Sequence, residues 1–279
     1  SVFNLKRKLS ELNFDNFKMI VGSSGDTKLL ETIFIENKVD IVINASAYKH
    51  VSIMQDNAYA ALNNNVLYFI NLLKTANSFG VSDIVQVSTD KAAEPSNVMG
   101  FSKLLCEQIL IHAKEYLGAK FSYSIVRFGN VIGSSGSVVP IFIDNIKKGK
   151  KLCITHGDVE RYMMQISDAV SLLLRAASHR KNETYILDMG KPYKIVDLAL
   201  KTLKNSHFCY DKNLIEFTGL QVGEKLTEIL FTTKESNVMS RQEDMFIISN
   251  RDDSLLSEVE LELLFSGEIN FLYEKLAMI

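Results

Sequence analysis

Ile84-Val85-Gln86-Val87-Ser88-Thr89-Asp90-Lys91 is an apolar run that ends in a hydroxyl pair, an acid and an amine. Three β-branched side chains in four uncharged residues read as a strand covered on both faces, the condition of a parallel sheet. Open α/β sheets bind their ligands beyond the carboxyl ends of such strands, so Ser88 to Lys91 stand where a site is expected. Twelve positions after Lys91 comes a second amine, Lys103, inside Asn97-Val98-Met99-Gly100-Phe101-Ser102-Lys103, which opens a segment of helical period. Acid, amine and hydroxyl are thereby gathered at one strand end and one helix start.

The same alternation extends outward. Val39-Asp40-Ile41-Val42-Ile43-Asn44 and Phe121-Ser122-Tyr123-Ser124-Ile125-Val126 are further strand candidates. Segments 57–79 and 99–117 carry helical spacing, as in Leu104, Leu105, Gln108, Ile109 and Ala113. Strand and helix in turn imply a doubly wound α/β fold with a parallel sheet and right-handed crossovers. Beyond about residue 145 the elements become shorter, punctuated by Gly149, Gly157, Gly190-Lys191-Pro192, Gly219 and Gly223. We expect a first domain over 1–150 and a smaller lobe over 151–279, interleaved with it by chain crossings; no repeat or low-complexity linker divides them.

Composition excludes several classes. A chain of 279 residues that is 47% hydrophobic, 23% charged and has three prolines can bury a core and is too apolar for disorder. Its formal net charge of -2 gives no basic face for nucleic acid, and Lys147-Lys148-Gly149-Lys150-Lys151 reads as a solvated helix end. No apolar stretch approaches the roughly 20 residues that cross a bilayer, so no membrane segment is expected in this chain. Cys106, Cys153 and Cys209 are odd in number and far apart, which suits neither a disulfide framework nor a metal site and makes a reducing cytoplasm the default. His50 lacks a second histidine or carboxylate at usable spacing, so no metal is expected.

A dinucleotide-binding sheet normally begins with a strand, a glycine-rich turn and a helix whose N-terminus takes the pyrophosphate, followed by a strand ending in an acid for the ribose. Ser1-Val2-Phe3-Asn4-Leu5 instead opens in what reads as the helix after that second strand. Gly22-Ser23-Ser24-Gly25 has the wrong glycine spacing and follows only a short strand at Ile20-Val21. The expectation is a piece of a longer enzyme or a chain that has lost its cofactor-binding start.

Five stretches carry a resemblance. They are Ala45-Ser46-Ala47-Tyr48-Lys49-His50-Val51, the run from Ser88 to Gly100, the run from Val126 to Val138, Arg161-Tyr162-Met163 and Gly223-Glu224-Lys225-Leu226. In this order they resemble the nucleotide-sugar 4,6-dehydratases of bacterial polysaccharide biosynthesis, in the extended short-chain dehydrogenase/reductase superfamily. The likeness runs from about residue 1 to about 230. It implies a Rossmann-like fold, NAD or NADP as cofactor, a UDP-N-acetylglucosamine-type substrate, a 4-keto-6-deoxy product and a homo-oligomer. Members of this branch can carry membrane helices ahead of the catalytic part, so a longer parent chain could be membrane-associated.

The implied chemistry moves hydride from sugar C4 to the cofactor, eliminates water across C5 and C6, and returns hydride to C6. Elsewhere in the superfamily a tyrosine four residues before a lysine takes the first proton; here that position is Met99, whose thioether cannot. Some dehydratases of the branch share that methionine. The resemblance then assigns Thr89 to sugar O4, Lys91 to the C5 proton, Asp90 to the C6 hydroxyl and Lys103 to the nicotinamide ribose. It puts Ala45, Ser46, Ala47 and Lys49 beside the cofactor and His50 near the sugar. For Lys91 to act as a base it must be neutral, which burial or the charge of Lys103 would favour.

The glycine and serine run from Gly129 to Ser137 offers bare backbone amides to a pyrophosphate or uracil edge, with Asn130 and Ser137 in contact. Arg161 would grip the diphosphate through its guanidinium fork, and Glu224 would accept from a ribose diol. Asn65 is expected to brace the neighbouring strand end. Two other functions stay open: a 4-epimerase or reductase on the same fold, which would want the missing tyrosine, and a remnant that binds without turnover. Helices 57–79 and 99–117 could pair with their copies, or could equally pack inward.

Overall fold

The structure, a computed structural model, describes residues 2–134, 136–206, 214–249, 251 and 255–276. Its centre is three parallel strands, β1 (Ile41–Asn44), β2 (Asp83–Thr89) and β3 (Ser122–Phe128). β4 (Glu183–Leu187) adds to β3 in parallel, and a hairpin of β5 (Met239–Gln242) and β6 (Met245–Ile248) completes the far side antiparallel. Among the described residues the order is β1-β2-β3-β4-β6-β5. Three of these six strands come from beyond residue 150. The polypeptide returns to the first sheet after residue 150.

β2 is central because its residues can be: Ile84, Val85 and Gln86 are buried, with Gln86 accepting from the Asn44 amide at 2.8 Å and donating to the Val87 carbonyl. Polar groups enclosed in this way must be paired, and these are. β1 at the edge is half covered, leaving Ile41 and Ile43 exposed. The expected strand at Ile20-Val21 does not form, and both side chains are exposed. Strand geometry is held by neighbours, and among the described residues β1 is the last strand on that side of the sheet.

α1 (Thr27–Glu36) starts on Asp26, whose carboxylate accepts from the Leu29 N–H. The expected helix over 57–79 is divided: Val51–Asp56 and Ala58–Leu62 precede a π turn at Asn63–Leu67, and α2 (Tyr68–Ser78) follows. α3 (Val98–Leu117) begins on Asn97, whose side chain accepts from the Gly100 N–H at 2.9 Å, and stops at Gly118 in the left-handed region. One face of α3 meets the sheet. The other is covered by the helices Glu258–Ser266 and Leu272–Leu276, which contribute Leu261, Leu264, Phe265 and Leu272 to a core shared with Leu105, Ile109 and Ala113. Tyr116 stacks on Phe265 with ring centroids 5.0 Å apart. Much of the α3 surface offered for self-pairing is therefore occupied within the chain.

A smaller core joins α4 (Val138–Lys147) and α6 (Ile195–Asn205) to the pair Leu152–Ile154 and Ile215–Phe217, around Phe142, Ile146, Leu152 and Ala199. α5 (Ile166–His179) lies against the sheet through Ala169, Leu172 and Ala176. The lysine run ends α4 on the surface, with Lys148 paired to Asp144 at 2.7 Å. Cys106 is buried, Cys153 is exposed and Cys209 lies outside the described residues. Among the described residues no helix is long and apolar enough to cross a membrane, and no histidine, cysteine and carboxylate group is arranged for a metal.

Candidate active site

Beyond the carboxyl ends of β1, β2 and β3 opens a cavity of about 460 Å³. Its walls come from four stretches far apart in the chain, 45–51, 87–91, the first turns of α3 and 128–139, together with Met163. Of the residues singled out in the sequence, Ala45, Ala47, Lys49, His50, Thr89, Lys91, Met99, Lys103, Asn130 and Ser137 line it. Asp90 is buried immediately behind the wall. Ser46 turns aside and donates to Asn44 at 2.6 Å.

The end of β2 passes directly into a 3-10 turn, Asp90–Ala92. Thr89 caps that turn by accepting from the Lys91 N–H, and its hydroxyl donates to Asp90 Oδ1 at 2.9 Å. The same oxygen receives the Lys91 ammonium at 2.9 Å. Asn130 Oδ1 at 3.5 Å and Glu228 Oε1 at 3.8 Å complete the surroundings of that ammonium. Asp90 Oδ2 is buried and has no hydrogen-bond partner among the described residues. One carboxylate oxygen thus holds the amine while the other is left with its acceptor capacity unused, which is costly for an enclosed group.

α3 brings Met99 and Lys103 to the cavity, one turn apart on one face. The Met99 side chain packs with Met54, Ala61 and Val98, so the thioether fills apolar space and supplies no proton. Lys103 is 6% exposed and makes no hydrogen bond or ion pair among the described residues. Burial pushes its ammonium below the ordinary lysine range, against the opposing pull of Cys106 and Glu107. The same environment raises the Cys106 thiol to about 12 through burial, with Lys103 opposing.

Asn65 braces the 45–50 loop. Its Oδ1 accepts from the Tyr48 N–H at 2.8 Å, and its Nδ2 donates to the Tyr48 carbonyl at 3.1 Å and to the Ser102 hydroxyl at 2.9 Å. The π turn around it alters the local helix ladder, and the Asn65 carbonyl accepts from the Cys106 thiol at 3.0 Å. Loop and α3 are fastened together by this one residue.

Arg161 and Glu224 lie elsewhere. The guanidinium donates to the carbonyls of Glu160, Lys225 and Leu226 and to Glu224 Oε1 at 3.1 Å, and neither residue lines the cavity. Glu224 also accepts from Thr155 and from the Gln221 N–H. In this structure the two grip each other and the backbone of 224–226. Glu228 was not signalled in the sequence. It follows Gly223-Glu224-Lys225-Leu226 closely, but nothing local says that a carboxylate there meets Lys91.

Behind the site lies a buried ion cluster that sequence reading also missed. Arg127, at 0% exposure, pairs with Glu107 at 2.7 Å and Glu235 at 2.8 Å, and Arg251 bonds both carboxylates from the other side. Ser88 donates to Glu107, linking the cluster to the residue before Thr89. Burial alone would push the Glu107 carboxyl up; Arg127 and Arg251, with hydrogen bonds from Arg127 and Ser88, outweigh it and hold the group at about 2.

Comparison with known proteins fits this arrangement. The chain is 37% identical over its full length to the capsular polysaccharide biosynthesis protein CapD of Staphylococcus aureus, spanning 47% of that relative. It is 34% identical to a UDP-glucose 4-epimerase of Rickettsia rickettsii over 84% of the chain and 67% of that protein. The solved dTDP-glucose 4,6-dehydratase DesIV of Streptomyces venezuelae, with NAD and TYD bound, superposes with a TM-score of 0.72 at 20% identity, covering 96% of this chain and 85% of that one, which shows the Rossmann-like fold. The sequence model described as polysaccharide biosynthesis protein matches residues 2–250. With a parallel-dominated sheet, a cavity at its carboxyl edge and a match over most of its length, the chain belongs to the polysaccharide biosynthesis protein family.

Proposed function

We propose that this protein is a nucleotide-sugar 4,6-dehydratase that converts a UDP-N-acetylhexosamine to a UDP-4-keto-6-deoxy sugar, using NAD or NADP. The observation that carries the reading is the Asp90–Lys91 pair at the cavity that Met99 also lines. An oxidation and reduction at C4 alone needs one proton relay, and the usual phenol is absent. Elimination across C5 and C6 needs a base and an acid together, and an amine 2.9 Å from a carboxylate supplies that set.

The nicotinamide cofactor supplies a hydride acceptor and donor when bound. Lys103 would hold its ribose, with Lys49 and the alanines of the 45–47 loop against the ring system. Thr89 would orient the C4 hydroxyl, whose proton passes to the Asp90 carboxylate. Lys91 as the free amine then takes the C5 proton, while the protonated Asp90 gives its proton to the departing C6 hydroxyl. The C5–H and C6–O bonds break, C5=C6 forms, water leaves, and the pair is left as ammonium and carboxylate. Hydride returns to C6 and a proton to C5. Asn130 and Ser137 would contact the nucleotide portion, and His50 the sugar. For Arg161 and Glu224 to meet diphosphate and ribose they would have to exchange their mutual contact for the ligand.

Incubating the protein with NAD⁺ and UDP-N-acetylglucosamine in deuterated water should give a 4-keto-6-deoxy product carrying solvent deuterium at C5, read by mass spectrometry, with no net cofactor reduction. Replacing Lys91 with alanine should lower kcat by about 10²- to 10⁴-fold and leave UDP binding within about threefold. Undiminished turnover removes Lys91 from the chemistry. The second reading, a 4-epimerase, is favoured by the Rickettsia rickettsii relative. It predicts a C4 epimer with no loss of water in the same assay.

A further inference from the structure

Glu228 is 5% exposed, and among the described residues its carboxylate makes no hydrogen bond; its ion-pair partner is Lys91, 3.8 Å away. A carboxylate enclosed in this way is expensive unless a cation faces it. Its placement is enforced from both sides. Upstream, Gly223 offers its carbonyl to Ser96 and Asn97, Lys225 donates to the Glu94 carbonyl, and Arg161 holds the Lys225 and Leu226 carbonyls. Thr227 bridges to Glu160. Downstream, the Leu230 carbonyl accepts from the buried Arg127. Glu228 does not line the cavity, so it can act only through the amine in front of it.

Resting on the dehydratase reading, we propose that Glu228 is a positioning residue that takes the Lys91 ammonium over from Asp90 during the elimination. Lys91 gains positive charge as the C5 proton arrives, while Asp90 is still giving its own proton to the departing hydroxyl and faces that group rather than the amine, so during the transfer Asp90 is only partly available as counter-charge. Glu228 places beside the amine, at 3.8 Å, a second carboxyl group that takes no part in the proton transfers of the step. A small rotation of the lysine side chain turns the 3.8 Å ion pair into a hydrogen bond and frees Asp90 for the leaving hydroxyl. The other groups around Lys91 do not substitute for it. Asn130 is neutral, Lys103 on α3 and Lys49 in the 45–50 loop are amines that bring no carboxylate, and Tyr48 and His50 are the remaining titratable groups of that wall.

The test uses Glu228→Gln and Glu228→Asp, checked for unchanged melting and UDP binding. Glu228→Gln should lower kcat by about 10- to 100-fold with KM within about threefold. It should also move the limb of the rate profile that reports the free amine to lower pH by about one unit, because an ammonium loses its proton more readily without that carboxylate. Glu228→Asp should restore part of the rate. A rate and pH limb equal to those of the unsubstituted protein overturn the proposal, as does a loss of kcat and UDP binding in parallel. A readout without turnover separates this from the function itself: competitive acetylation followed by mass spectrometry should label Lys91 several-fold faster at pH 8 in Glu228→Gln. If the unsubstituted protein makes no 4-keto product, the dehydratase reading fails; if Lys91 labelling is equal in the two proteins, the Glu228 assignment fails.

Discussion

Lys103 shows at the scale of one residue how a site is maintained against stability. An ammonium at 6% exposure without an ion-pair or hydrogen-bond partner among the described residues has lost its water and received little in return. Its proton is bound less tightly in the folded chain than in the unfolded one. Below the lowered folded value both states are charged and the burial cost is fully present. As pH rises from there toward 10.5 the unfolded state binds more protons, so this residue's contribution to stability improves with pH. Lys103→Met, which keeps the length and removes the charge, should stabilise the ligand-free protein by about 1–3 kcal/mol at neutral pH. Thermal unfolding reads the gain, and calorimetry with NAD⁺ should read a concurrent loss of cofactor affinity; a melting temperature that falls would show that the ammonium is compensated after all. The sequence announced Lys103, Lys91 and Asp90, because consecutive residues at a strand end and helix residues one turn apart are set by local geometry. It was silent on Glu228, whose meeting with Lys91 depends on how a distant segment is strapped across the fold.

The element that positions most of the site is α3, and the glycine at its third residue governs how closely it docks. A Cβ on Gly100 would stand 2.5 Å from the Lys91 carbonyl oxygen, a backbone atom that cannot swing aside. Gly223 is matched to the same place: at φ +72 it turns under Asn97, and a Cβ there would stand 2.5 Å from the Ser96 carbonyl. Gly100→Ala should push the helix start off the Asp90–Ala92 turn, cost about 1–3 kcal/mol in chemical unfolding, and reduce turnover more than UDP binding. Wild-type stability and rate together would show that the helix shifts without disturbing Lys91. β2 and α3 were legible within a residue or two, because an apolar run and a helical period with an Asn cap both persist locally. The π turn was not, since Asn63-Asn64-Asn65 carries no signal that the helix ladder must widen there to set Asn65 against Tyr48. Arg161 and Glu224 were picked out by the motifs they stand in and by residue type, yet their mutual contact comes from the pairing of Glu160–Arg161 with Tyr193–Lys194 and the course of 221–227. Neither is readable from charge alone.

Across the whole molecule, the cluster of Arg127, Glu107, Glu235 and Arg251 joins β3, α3, the segment after β4 that carries Glu235, and the residue at 251. Two guanidiniums and two carboxylates balance in charge, so the cluster is tolerable as a whole and costly once a member is removed. The Glu107 carboxyl sits at about 2 in the folded chain against an ordinary 4.5. A depressed carboxylate contributes stability that is fully present above the unfolded value and is lost as pH falls through the folded one, here between about 4.5 and 2. At about 1.4 kcal/mol per pH unit, that window amounts to a contribution on the order of 3 kcal/mol. Glu107→Gln should therefore lower stability at pH 7 by about 3–5 kcal/mol, since it strips one carboxylate from two buried guanidiniums. The variant should also lose stability less steeply than the parent between pH 4.5 and 2, because the titrating group is gone. Urea unfolding at a series of pH values measures both effects. Parallel curves across that window would mean that Glu107 is protonated alike in the folded and unfolded chains, and the cluster would then not be the tie that holds the strand end beneath Thr89.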